Sequence, residues 1–152
     1  MSLVPQLGKG YIKLPDILSQ YKKDLEPAAE QLEKEGKLLE TSLSKNSSYM
    51  HYYDERRIRL YSLVKYFRME VDRVRSDLYR KYNEVYTREL TYNLMSKYID
   101  GEEDYLYVYK ILIEVEELYD EYVSVVEAFK QRNFELGHMT RLRIANLEFS
   151  EI

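Results

Sequence analysis

The sequence predicts an all-α protein: a long antiparallel helical hairpin with short N-terminal and C-terminal helices, assembling into a homo-oligomer. Three observations carry this. The 152 residues include only three prolines and five glycines, and four of those glycines lie outside residues 37–136, so few breaks are available. Apolar residues recur at three- and four-residue steps through two long stretches, the spacing of one helix face. A chain of this length suits one domain, and an elongated helical shape gains much from self-association.

Residues 1–13, with Pro5, Gly8 and Gly10 and no periodicity, read as a flexible tail. Residues 14–149 read as a single helical domain. Pro15 and Asp16 open a short helix, because proline is tolerated in a first turn and an acid there favours the helix dipole. Pro27 interrupts it. A second helix follows to about Ser44 along Leu32, Leu38, Leu39 and Leu43, and Ser44 to Ser48 read as its end and the next cap. From Tyr49 to about Tyr98 no proline or glycine intervenes, and Leu60, Val64, Phe67, Val71, Val74, Leu78, Tyr82 and Val85 mark a long amphipathic helix. Ile99 to Asp104, around Gly101, turns the chain back. A second long helix then runs to about Gln131 with Val108, Ile111, Val115, Leu118, Tyr122, Val125 and Phe129 as a coiled-coil-like seam. The short connection makes the two long helices antiparallel neighbours. Residues 133–149 read as a separate terminal helix, and its apolar Phe134, Met139, Leu142 and Ile144 as an oligomerisation element, the alternative being a simple lid on the hairpin.

Composition narrows the function. A charged fraction of 33% and no long apolar run argue against a membrane span, and the first 20 residues lack the apolar core of a signal peptide. The absence of cysteine removes disulfide and thiolate chemistry and suits a reducing cytoplasm. Charge is distributed unevenly. Residues 56–88 hold ten Lys/Arg against four Asp/Glu within a chain of net charge −4, and five tyrosines are interleaved with them.

On a helical projection at about 100° per residue, Arg57, Tyr61, Lys65, Arg68, Arg75, Tyr79 and Tyr86 share one stripe beside the apolar face. Such a stripe suits single-stranded nucleic acid. Guanidinium groups neutralise phosphates, and aromatic faces stack on unpaired bases at roughly 1–3 kcal/mol each with little sequence preference. The structural alternative pairs these cations with the acidic second long helix through Glu114, Glu117 and Glu121, which fits a coiled-coil scaffold or adaptor.

Catalytic chemistry finds no foothold in the sequence. Two histidines and no cysteine make a zinc site improbable. Glu135 and His138 have the spacing of a di-iron carboxylate motif, but a second such motif is missing. Residues Leu7 to Gly10 lack the upstream glycine and following Ser/Thr of a phosphate loop. No Ser/His/Asp grouping is discernible, so neither an enzyme nor a cofactor is expected.

A short N-terminal helix from Leu14 to Leu25, a long basic tyrosine-rich helix, an acidic turn, a second helix and a terminal stretch from Phe134 through Met139 and Arg141 follow one another in this order. In that order and in two local segments, Arg75 to Tyr79 and Arg132 to Arg141, the chain resembles the UvsY recombination mediator family of T-even-like phages over about residues 14–149. The resemblance implies a protein that binds single-stranded DNA, helps displace the phage single-strand-binding protein and helps load a RecA-like recombinase. It also implies a ring-like homo-oligomer held by the C-terminal region, working in the host cytoplasm. Arg75 matches the family's basic segment ahead of paired tyrosines. Asp77 stands where the family has its second basic residue, and Arg80 and Lys81 in the next turn supply the charge instead.

Overall fold

The computed structural model describes residues 2–33, 36–85 and 91–150, with side chains described as far as residue 146. Every regular element among them is helical. Two 3₁₀ turns, Val4–Gln6 and Lys9–Tyr11, precede α1 (Leu14–Leu25), α2 (Ala28–Leu32), α3 (Leu39–Val85), α4 (Tyr92–Asp100) and α5 (Glu103–Ser150). No described helix is long and apolar enough to cross a membrane. Where the sequence pattern suggests one domain behind a tail, the chain divides into two compact units, Met1–Lys13 with Arg59–Tyr119, and Leu14–Ile58 with Asp120–Ile152.

In the first unit the buried side chains are apolar. Leu60, Leu63, Val64 and Phe67 of α3 and Val115 and Leu118 of α5 are buried almost completely, each such side chain contributing roughly 1.5–3 kcal/mol. The paired positions run in opposite chain directions: Tyr61 lies against Tyr119, Arg68 against Glu116 and Arg75 against Tyr105. The apolar seam of α5 passes through Leu112 rather than Ile111, which is only half-buried.

The expected flexible tail at residues 1–13 is corrected by this unit. Leu3 and Leu7 are buried, and the Leu3 amide donates to Ser62 Oγ at 3.0 Å. Gly8 and Gly10 take left-handed backbone at φ 73° and 65°, and Tyr11 follows at φ 61°. A non-glycine residue there costs roughly 1–2 kcal/mol. Tyr11 offsets the cost with its ring edge-on to Phe67 at 5.0 Å and with its hydroxyl, which donates to Glu70 Oε2 at 2.7 Å. The glycines that suggest disorder are what lets the segment coil tightly enough to dock.

The helix read from Tyr49 to about Tyr98 is not continuous: α3 is described as far as Val85, and Thr91 has extended backbone and caps a separate helix, α4, its hydroxyl accepting from the Leu94 amide at 3.3 Å. Met95 and Ile99, one turn apart on α4, are buried with Leu78 and Tyr82. The turn at Gly101 then leads into α5.

In the second unit, α3 begins at Leu39 and passes without interruption through the predicted break at Ser44–Ser48. The reason is a seam with polar members: Leu39, Ser42, Asn46 and Tyr53 are all buried, at helical spacing. Asn46 Nδ2 donates to the Phe129 carbonyl and to Asn133 Oδ1, each at 3.4 Å. Arg132 Nη1 donates to Asn46 Oδ1 at 3.3 Å and Nη2 to the Glu33 carbonyl at 3.2 Å. Tyr53 stacks on Phe129 at 5.5 Å, and the Tyr122 hydroxyl donates to the Tyr21 carbonyl at 2.6 Å, which ties α1 down.

α5 likewise has no boundary at Asn133, so the separate terminal helix expected over 133–149 is instead the continuation of α5. Its seam runs through Val126, Phe129, the buried Arg132 and Leu136. A charged residue at a core position conceals the continuity in the sequence. Phe134, Met139, Leu142 and Ile144 sit on this helix exposed, Phe134 at 79%.

Candidate nucleic-acid interface

The sequence-derived stripe is divided by the fold. Arg57 belongs to the second unit, where its Nε lies 2.7 Å from Asp54. Tyr61, Lys65, Arg68, Arg75, Tyr79, Arg80 and Lys81 belong to the first. Tyr86 lies outside the described residues.

Within the first unit the cations fall into two states. Arg68 Nε is 3.1 Å from Glu116 Oε1, and Arg75 Nη1 is 2.9 Å from Asp100 Oδ1. The Asp100 carboxylate holds the Arg75 guanidinium above the ordinary arginine range, against the opposing effect of partial burial. Arg75 also stands 5.4 Å over the Tyr105 ring. Lys65, Arg80 and Lys81 are exposed and form no ion pair with any described residue. The Lys65 ammonium lies 5.1 Å over the ring of Tyr61, which is itself partly exposed.

Compared with protein-family models, with curated proteins and with solved structures, the chain matches none.

A second set of rings, from α4 and α5, packs beside the sequence-derived stripe. Tyr79 packs against Tyr92 with ring centroids 5.9 Å apart, Tyr82 stacks on Tyr98 at 5.9 Å and 24°, and Tyr105 stacks on Tyr109 at 5.7 Å and 19°. Tyr92, Tyr98 and Tyr109 present exposed ring surface, and Lys97 adds an exposed ammonium in the last turn of α4. Projection of one continuous helix overlooks these residues. The signal present in the sequence is a threonine cap followed by Met95 and Ile99 one turn apart, a short amphipathic helix in its own right.

Arg73, which is not part of the stripe, is held by Glu70 at 2.9 Å and Asp77 at 3.1 Å. Hydrogen bonds from Arg73, and then from the Tyr11 hydroxyl, keep the Glu70 carboxyl below its usual range. This cluster is occupied with holding the N-terminal segment. Among the described residues no group of three or more His, Cys, Asp or Glu side chains could hold a metal ion.

Proposed function

We propose that this protein is a non-enzymatic, oligomeric single-stranded DNA-binding recombination mediator of the UvsY kind. It loads a RecA-like recombinase onto DNA coated by single-strand-binding protein, in the cytoplasm of a phage-infected host. The observation that carries the reading is a set of exposed α3 cations that form no ion pair with any described residue: Lys65, whose ammonium lies over the Tyr61 ring, and Arg80 and Lys81 further along the helix. Cations without carboxylates are open to phosphates, and the partly exposed Tyr61 ring offers a face to an unpaired base. The arginines that do carry carboxylates sit in exposed pairs worth roughly 0–1 kcal/mol, which a polyanion can outcompete.

Self-association through Phe134, Met139, Leu142 and Ile144 completes the reading, because repeating a modest patch around a ring raises effective concentration along one strand. Gly137 supports that surface. A Cβ built there meets nothing within 4 Å in the subunit, although glycine costs a helix interior roughly 1 kcal/mol relative to alanine. A close approach by a second copy gives the glycine a purpose. The open groove around it, about 800 Å³, is lined by Phe134, His138, Met139 and Arg141 among others.

The test is an anisotropy titration with a labelled single-stranded oligonucleotide at two salt concentrations, with light-scattering mass on the same samples. Steeply salt-dependent binding with little base preference is expected. Binding equal at both salts, or no binding by the assembled form, overturns the proposal. A second reading, a coiled-coil scaffold or adaptor without nucleic-acid binding, is favoured by the Arg68–Glu116 and Arg75–Asp100 pairs. It requires that alanine at Arg68, Arg75 and Arg80 disturb assembly rather than DNA binding.

A further inference from the structure

We propose that α4 is a built-in competitor for the strand, an element that occupies part of the α3 binding face by imitating the chemistry of single-stranded DNA. The inference rests on the DNA-binding reading above and concerns its regulation. A single strand offers two things to a basic, tyrosine-bearing helix: flat rings and anionic oxygens. α4 offers the same two to Arg75, Tyr79 and Tyr82. Tyr92 lies against Tyr79 and Tyr98 stacks on Tyr82, while the Asp100 carboxylate takes Arg75 at 2.9 Å. Glu102, just beyond the helix, accepts from the Tyr82 hydroxyl.

The position of Asp100 has no explanation within α4 itself. It is the last residue of the helix, where the macrodipole disfavours an acid. Its benefit goes to Arg75. Among the described residues the apolar anchor beneath α4 is Met95 and Ile99 set against Leu78 and Tyr82, with the partly buried Val74, Tyr79 and Tyr105 around them, a local contact whose release a ligand supplying several rings and phosphates at once can offset. Arg80 and Lys81, exposed on the same helix and in no ion pair with any described residue, make the first contact. The strand then displaces Asp100 from Arg75 and the α4 rings from Tyr79 and Tyr82.

Two surface substitutions in the full-length protein test this by anisotropy with labelled oligothymidylate. Asp100→Asn removes the competing anion, and Asp72→Asn removes the same charge from an exposed α3 acid that no described ion pair involves. Asp100→Asn is expected to bind roughly threefold tighter than Asp72→Asn, the scale of one exposed ion pair. Because Asp100→Asn also relieves the dipole, tighter binding does not arise from a weakened helix. Tyr98→Ala, at a half-exposed site, is expected to tighten binding as well. Equal affinities for the two Asp→Asn variants, or weaker binding by Tyr98→Ala, overturn the inference and make α4 a fixed part of the platform. Absence of binding by the unaltered protein overturns the DNA-binding reading itself, a distinguishable result.

Discussion

Arg75 in the first unit and Arg132 in the second carry the same guanidinium in opposite surroundings. Arg75 keeps a third of its side chain exposed and faces a carboxylate that pushes its pKa up. Arg132 is 3% exposed, its acceptors among the described residues are the neutral Asn46 side chain and a carbonyl, its Nε meets no acceptor among those residues, and burial pulls its pKa down. An exposed cation in a surface pair is exchangeable, since water or a phosphate replaces the partner at little cost. A buried one is not, because losing an acceptor there leaves charge in an apolar setting. The comparison separates cations available to a ligand from those consumed in holding two helices in register.

The largest effect should come from breaking the buried side of that comparison. Asn46→Leu deprives Arg132 of its side-chain acceptor and is expected to destabilise the protein by about 2–3 kcal/mol in chemical denaturation. Arg132→Met, which removes the cation itself, should cost far less or stabilise. On the exposed side, alanine at Arg68, Arg75 and Arg80 should weaken single-strand binding by about tenfold or more and flatten its salt dependence, with light-scattering mass unchanged.

A smaller effect sharpens the first unit alone. Tyr11→Phe removes the hydroxyl that donates to Glu70 and should cost about 1 kcal/mol. Glu70 has a folded-state pKa below its unfolded value, so the stability it contributes is present above the ordinary carboxylate pKa and lost as pH falls through the depressed one. Glu70→Gln should therefore flatten the acid limb of stability against pH while lowering stability at neutral pH. The smallest change is Gly137→Ala, worth up to about 1 kcal/mol to an isolated helix. On the proposed self-association it should nonetheless reduce the assembled mass, because a methyl group would intrude on the close approach proposed for a second copy.

Helical periodicity made the class of fold legible, since Leu60, Val64, Phe67, Val71 and Leu78 are all buried at the spacing that marks them in the sequence. It failed where the inward face is polar or the breaker is not a breaker. Asn46 and Arg132 occupy core positions but read as a cap and a boundary, because hydrophobic pattern alone cannot register polar groups satisfied by one another. Gly8 and Gly10 read as disorder, whereas their left-handed backbone lets Tyr11 dock. The candidate interface was half legible. Charge and ring positions on α3 follow from projection, but which cations carry a carboxylate depends on Asp100 and Glu116, partners 25 and 48 residues away in the chain.

The stacked Tyr82–Tyr98 pair has a spectroscopic consequence. The protein has seventeen tyrosines and no tryptophan, so its intrinsic ultraviolet emission is tyrosine emission alone, with no indole to mask it. The two phenols lie near-parallel with centroids 5.9 Å apart. Separation of α4 from α3 would change the surroundings of both rings and with them their emission, so the protein carries its own label at the junction.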